Sequence, residues 1–292
     1  MSAVVCLGTF DGVHLGHQTV IRSAVAAAND QDLPCCLVTF DRHPAATLRP
    51  AAKPTSLIEL DEKLRMFREL GVSVTLVLPF DMELSQMPAL AFLNEILRNR
   101  LRASELVIGH DFCFGHNREG TTDWVRTRIK TDIVPPFLLG DVRVSSSAIR
   151  TAIDKGELEL ANRMLGRPYT LSGLVVPGQR LGRTLGYPTI NIARSDDQAL
   201  PPDGVYAGDA ETPYGAYRAA MSIGFRPAVQ GKVRTVEAYL LDYPGDSLYG
   251  RHCRLRLHKK LRDELDFEDL QSLSEQIGRD VAQVRELGVI KH

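Results

Sequence analysis

The stretch Gly8-Thr9-Phe10-Asp11-Gly12-Val13-His14-Leu15-Gly16-His17 decides how the chain is read. It follows the short apolar run Ala3 to Leu7. It leads into Leu15 to Ala28, which is rich in Ala and Val with polar breaks. That order predicts a strand, a tight loop and a helix. Gly12 and Gly16 let backbone come close to a ligand. The helix start offers N–H groups and the positive end of a dipole to an anion. His14 and His17 stand at i and i+3, so both imidazoles share one helix face. From there they can donate hydrogen bonds to phosphate oxygens as charge develops. The stretch is neither a P-loop nor a G-x-G-x-x-G.

Cys35 to Thr39, Ser73 to Leu78 and Leu106 to Ile108 repeat the strand-like run. Glu59 to Leu70 and Ala89 to Leu101 carry apolar residues at helical spacing. Short buried strands alternating with helices predict a parallel α/β sheet, which binds ligands at the carboxyl ends of its strands. Ser146 to Asp154 and Glu157 to Leu165 predict two further short helices, and Gly166-Arg167-Pro168 breaks the pattern. Beyond it, short β-like runs separated by Gly, Pro and Asp predict a small antiparallel barrel or sandwich. Examples are Leu171 to Val176, Gly204 to Ala207, Thr235 to Leu241 and Arg254 to Leu257. Phe267, Leu270, Leu273, Ile277, Val281, Val284 and Leu287 step by three or four, which predicts a closing amphipathic helix. The expected domains are 1–165 and 166–292.

The chain has 292 residues, 35 basic and 36 acidic, for a net charge of −1. At roughly 150 residues per domain this length suits two domains. Up to Gly166 there are 18 basic and 20 acidic residues, and afterwards 17 and 16. Neither part has the basic excess of a nucleic-acid binder, so none is expected as a partner. No run reaches the ~18 apolar residues of a membrane span, and the N-terminus lacks the pattern of a signal peptide. The five cysteines, Cys6, Cys35, Cys36, Cys113 and Cys253, show no zinc spacing and suit reduced thiols in a cytoplasm.

Further residues carry chemistry. Gly109-His110-Asp111 would end a strand at the ligand-binding edge; Phe112 and Phe114 could stack on a flat ring or pack in the core. In Val144-Ser145-Ser146-Ser147-Ala148-Ile149-Arg150 the serines could cap a helix or, with Arg150, clamp a triphosphate. In the second half, Gly178, Gly182 and Gly186 alternate with Arg180 and Arg183 in a plausible phosphate cradle. Thr189 and Asn191 point to one face of an extended segment and offer hard oxygen ligands suited to Mg²⁺. Glu237 interrupts the apolar strand Val236 to Leu241. There it is either a solvent-face carboxylate or a general base at a substrate hydroxyl.

The H-x-G-H of His14 to His17 resembles the nucleotidyltransferase superfamily. Gly8 to His17, Thr39-Phe40-Asp41-Arg42-His43-Pro44, Gly109 to Gly120 and Ser145 to Arg150 occur in that order. Together they resemble the adenylyltransferase module of the bacterial bifunctional riboflavin kinase/FAD synthetases. Gly182-Arg183-x-x-Gly186-Tyr187-Pro188-Thr189-x-Asn191, Gly204 to Ala207, Ile223-Gly224-x-x-Pro227, Glu237-x-x-Leu240-Leu241-Asp242 and Leu261-Arg262-x-Glu264-x-x-Phe267 resemble the kinase module.

The resemblance implies a Rossmann-like α/β nucleotidyltransferase domain followed by a six-stranded antiparallel barrel with a C-terminal helix. It implies FMN from riboflavin and ATP, then FAD from FMN and ATP, both with Mg²⁺, in the cytoplasm. His14 and His17 would stabilise the α-phosphate transition state. Gly8, Phe10, Gly16, Ser146 and Arg150 would bind ATP, with Asp111 and Phe112 at the flavin. In the kinase, Gly182, Gly186, Thr189 and Asn191 would bind ATP, the last two with the metal. Arg183 and Tyr187 would bind flavin, and Glu237 would deprotonate the riboflavin hydroxyl.

The chain departs from the family in a short leading segment and a short Gly120 to Ser145 stretch. It also differs at Ser147, Ala148, Ser222 and Ala228, where the family often has Thr, Arg, Asn and Thr. The shortened stretches would weaken adenylylation before phosphorylation, and the four substitutions would soften flavin or nucleotide contacts without removing the expected catalytic groups. An H-x-G-H transferase with another acceptor would leave the second half without a role. A decayed flavin sensor would have lost some of the catalytic groups.

Overall fold

The computed structural model describes residues 2–178, 181–228 and 231–286. They form two compact units, Met1–Ala148 and Ile149–His292.

The first unit holds a five-stranded parallel sheet. Its strands are β1 (Ala3–Leu7), β2 (Cys35–Phe40), β3 (Val74–Leu78), β4 (Ala103–Gly109) and β5 (Lys130–Val134), in the order β3-β2-β1-β4-β5. Every residue of β1 is buried because helices cover both faces. Val4 and Cys6 pack with Ile21, Ala24 and Phe67 on one face. Ala3, Val5 and Leu7 pack with Phe92, Leu93 and Leu97 on the other. The chain runs from β1 to β2 on one side, while β4 lies on the other. The carboxyl ends of β1 and β4 therefore flank the point where strand order reverses, where such sheets hold ligands.

Two local features depart from the sequence pattern. The edge strand β5 was not expected, because Lys130 and Asp132 interrupt its apolar residues. Both are exposed in the structure, as suits a sheet edge. The helix expected over Ala89 to Leu101 is α-helical only at Ala89–Ala91 and continues as π-helical turns over Phe92–Arg100. The i, i+4 spacing of Leu93 and Leu97 fits either geometry over so short a run. After β5 comes a small hairpin of β6 (Leu138–Leu139) and β7 (Val142–Arg143).

The helix Ser146–Asp154 spans the division between the units, and the helix Leu158–Leu165 follows. The latter ends at Gly166, left-handed at φ 72°, as the breaker cluster predicts. Asn162 binds this helix to the barrel strands. Its Nδ2 donates to Leu257 O (2.9 Å) and its Oδ1 accepts from Tyr169 N (2.7 Å). By compactness, therefore, the chain divides between Ala148 and Ile149, ahead of Gly166.

The second unit is a closed barrel of β8 (Tyr169–Val176), β9 (Thr189–Ala193), β10 (Gly204–Thr212), β11 (Gly215–Ala228), β12 (Gly231–Leu240) and β13 (His252–Arg262). Neighbours run antiparallel in the order β10-β11-β12-β9-β8-β13. Val236, Ala238 and Leu240 are buried, as the alternation in β12 predicts, and the intervening Glu237 and Tyr239 face the other way. The closing helix Leu270–Glu286 lays Val281 and Val284 against Ala207 and Leu241, with Tyr187, Tyr239 and Ile277 at the margin. Phe267 precedes this helix, and Leu287 lies outside the described residues.

Arg262 at the end of β13 fastens the helix. Its Nη2 donates to Asp280 Oδ2 at 2.8 Å and its Nε reaches both oxygens at 3.1 Å. The Asp280 side chain is only 4% exposed. Asp280→Ala should lower unfolding stability by about 3 kcal/mol in a denaturant titration, since it strands a largely buried guanidinium.

Candidate active sites

The first site grows from the end of β1. Between Gly8 and the helix Leu15–Asp30 the backbone is left-handed at Phe10 (φ 50°), Gly12 (φ 85°) and Val13 (φ 42°). For β-branched Val13 this is strained, so surrounding bonds must hold it. Thr9 O accepts from Thr39 Oγ1 (3.2 Å) and Lys63 Nζ (3.2 Å). Asp11 Oδ1 accepts from Leu57 N (2.9 Å), Asp11 O from Ser146 Oγ (2.8 Å), and Val13 O from Gln18 Nε2 (3.0 Å).

This loop delivers His14 to the N-cap, where its Nδ1 accepts from His17 N at 3.2 Å. With Nδ1 an acceptor, a neutral His14 carries its proton on Nε2, which leaves that nitrogen as a donor. The two imidazoles stack 3.6 Å apart at 17°. Gly16 makes room, since a Cβ there would stand 3.2 Å from His14 Cε1. Phe10 is 3% exposed, and its ring meets His17 edge-on at 5.3 Å. It therefore supports His17 from the core instead of presenting an open face. Gly8 admits that ring, which lies 2.8 Å from where its Cβ would be.

Beyond β4, Asp111 is exposed and its Oδ2 is paired with Arg143 Nη2 at 2.5 Å. Phe114 is buried in the core, whereas Phe112 is half-buried and packs partly against the same apolar cluster. Ser145 Oγ accepts from Ala148 N (3.2 Å), an N-cap bond. Ser146 and half-buried Arg150 lie one turn apart on the helix that spans the division between the units.

The second site lies wholly in the barrel unit. A cavity of about 550 Å³ is lined by Thr189 and Glu237 together with Leu185, Leu265, Leu273 and Ile277. That size falls within the ~300–1,000 Å³ range of small-molecule sites. Asn191 stands opposite Glu237, and Thr189 opposite Tyr239, in the β9–β12 register. Thr189, Asn191 and Glu237 therefore share one face. Thr189 Oγ1 donates to Glu237 Oε2 at 3.1 Å. Asn191 is 8% exposed, and its Oδ1 has no hydrogen-bond partner among the described residues. A hard cation fits that oxygen and the Thr189 hydroxyl.

Gly182 and Tyr187 also line the cavity, and a Cβ on Gly182 would stand 2.3 Å from Tyr187 O. Gly186 and Arg183 are exposed nearby in sequence. Arg262, Glu264 and Asp280 line the cavity as well. Of these, the sequence motifs had pointed to the stretch holding Arg262 and Glu264, and nothing singled out Asp280.

The FAD synthetase family model matches residues 1–148 and the riboflavin kinase family model residues 165–288. The bifunctional riboflavin kinase/FMN adenylyltransferase of Escherichia coli K12 is 37% identical over 97% of this chain and 92% of its own. The protein of the same description from Bacillus subtilis is 34% identical over 95% and 90%. A crystal structure described as a macrolide-efflux protein from Streptococcus pneumoniae superposes with a TM-score of 0.87 at 30% identity, covering 98% of this chain and 95% of that one. No helix among the described residues is long and apolar enough to cross a membrane.

Proposed function

The chain belongs to the family of bifunctional riboflavin kinase/FMN adenylyltransferases, and from that premise we propose how its residues divide the two reactions. It phosphorylates riboflavin with ATP to give FMN and ADP, and adenylylates FMN with ATP to give FAD and pyrophosphate. The reading rests above all on the Thr189–Glu237 hydrogen bond at a cavity with an apolar wall.

In phosphoryl transfer, Glu237 accepts the proton of the riboflavin hydroxyl as its oxygen attacks the γ-phosphorus of ATP. Thr189 holds that carboxylate through its 3.1 Å bond. Leu185, Leu273 and Ile277 shield the flavin from water, with Tyr187 and Arg183 assigned to flavin contacts. Gly182 and Gly186 leave room for the nucleotide. Thr189 Oγ1 and Asn191 Oδ1 would hold the Mg²⁺ of Mg-ATP, which draws charge from the phosphate oxygens when bound.

In adenylyl transfer, His14 Nε2 and the His17 ring donate to the α-phosphate as the FMN phosphate attacks and pyrophosphate leaves. Gly8 and Gly16 keep the backbone close to ATP, and Phe10 acts through His17. Ser146 and Arg150, one helical turn apart, are assigned to the triphosphate. Asp111 and Phe112 are assigned to the flavin side. The functional modules run 1–165 and 166–292. Five free thiols, four of them buried, and ATP-dependent chemistry suit the cytoplasm.

Chromatography of flavins after incubation with riboflavin, ATP and Mg²⁺ should show FMN first and FAD later. Unchanged riboflavin would remove the kinase reading. Supplied FMN that never yields FAD would remove the adenylyltransferase reading.

A further inference from the structure

Lys63 stands outside every sequence motif, yet it is 7% exposed and reaches the carboxyl edge of the parallel sheet. It lies in the first complete turn of the helix Leu60–Glu69. Its Nζ donates to Thr9 O at 3.2 Å and to Phe40 O at 3.3 Å. Those carbonyls belong to the ends of adjacent strands: Phe40 closes β2, and Thr9 follows β1 by two residues. Carbonyls at such strand ends have no ladder partner, and a buried ammonium bonded to both is a strong, charge-assisted tie. Immediately after Thr9 the backbone turns left-handed at Phe10 and again at Gly12 and Val13, then enters the His14 cap. Thr39 Oγ1 shares the Thr9 carbonyl with Lys63. The tie therefore sits at the base of the strained segment that aims both imidazoles.

We propose that Lys63 is a positioning residue for adenylyl transfer, its ammonium holding the ends of β1 and β2 together so that the Phe10–Val13 loop keeps His14 and His17 in place. The inference rests on the assignment of adenylyl transfer to those histidines. Burial lowers the Lys63 ammonium to about 8, with Asp11 and Asp41 pulling it back up. Asp11 faces it from the loop and Asp41 from the end of β2; Glu62 on its own helix is engaged by Arg65. Lys63 is thus charged below about pH 8 and loses its charge, and with it the strength of the tie, as pH rises through that value.

The test uses the full chain with saturating FMN and ATP and measures kcat for FAD formation from pH 6.5 to 9.5. Wild-type kcat should fall as pH rises through about 8. Lys63→Met should lower kcat at pH 7 by about 10- to 100-fold, the scale of a small misplacement of catalytic groups. Its KM values should stay within a few-fold, and the alkaline fall should be absent. Riboflavin phosphorylation by the same preparation reports an intact barrel unit. Full kcat in Lys63→Met, or the same alkaline fall in that variant, overturns the proposal. If Lys63→Met does not fold, Lys63→Arg decides. Its permanent charge should abolish the alkaline fall, and a fall that persists overturns the proposal. His17→Ala run in parallel separates the two levels: full FAD formation there removes the assignment itself, whereas a fall there beside normal Lys63→Met removes only the role of Lys63.

Discussion

Glu237→Gln should lower FMN formation by about 10³-fold while FAD formation from supplied FMN stays within a few-fold of wild type. The substitution keeps side-chain shape and can still accept the hydrogen bond from Thr189 Oγ1, which is 3.1 Å from the carboxylate. It removes only the capacity to take the riboflavin proton. Phosphoryl transfer asks little covalent help of the protein, so positioning by the cavity should leave a residual rate instead of none. The loss should fall on kcat with KM for riboflavin nearly unchanged, because the apolar wall of Leu185, Leu273 and Ile277 is intact. A variant that phosphorylates riboflavin at the wild-type rate would remove Glu237 as the base. A folded variant that lost both reactions would remove the two-site assignment.

His17→Ala should produce the mirror image: FAD formation lowered by about 10²–10³-fold with FMN formation retained. His17 is the cleaner probe of the pair. His14 also caps the helix through Nδ1, so its removal would add a structural cost of about 1 kcal/mol. Deleting the His17 ring leaves that backbone bond in place, because His14 accepts from the His17 main-chain N–H. Phe10 loses its edge-on neighbour but keeps Phe67 at 5.6 Å, so the core beneath the loop should hold. The two substitutions together form a double dissociation, read from one flavin chromatogram per variant. Equal loss of both products in His17→Ala, with the fold intact, would contradict the division of labour.

Much of the architecture was legible because it is written in short-range patterns. Runs such as Ala3–Leu7 are wholly apolar because helices cover both sheet faces, and the Val236, Ala238, Leu240 alternation marks a strand with one face in the barrel core. The glycines and histidines of Gly8–His17 announced the loop between the strand Ala3–Leu7 and the helix Leu15–Asp30. Strands that lack such a pattern stayed hidden. In β11 the inward positions Ala219 and Met221 are separated by Ala220, so size and polarity do not alternate. In β5, an edge position admits Lys130 and Asp132.

Short-range pattern in the chain accounts for the order of the two modules, the strand, loop and helix of Ala3 to Ala28, and the pairing of Thr189 with Asn191 on one strand face. Such pattern runs with a period of 3.6 or 2 along a single element. His14, expected on one helix face with His17, is instead the extended N-cap whose ring stacks on His17. Which residues meet across elements is set by the packed fold. It brings Thr189 to Glu237 through the β9–β12 register, turns Phe10 into a buried support, joins Arg262 to Asp280, and carries Lys63 to the carbonyls of Thr9 and Phe40. No local period encodes such contacts. They depend on strand order, register and the packing of distant segments, which exist only once the chain has closed its sheet and its barrel.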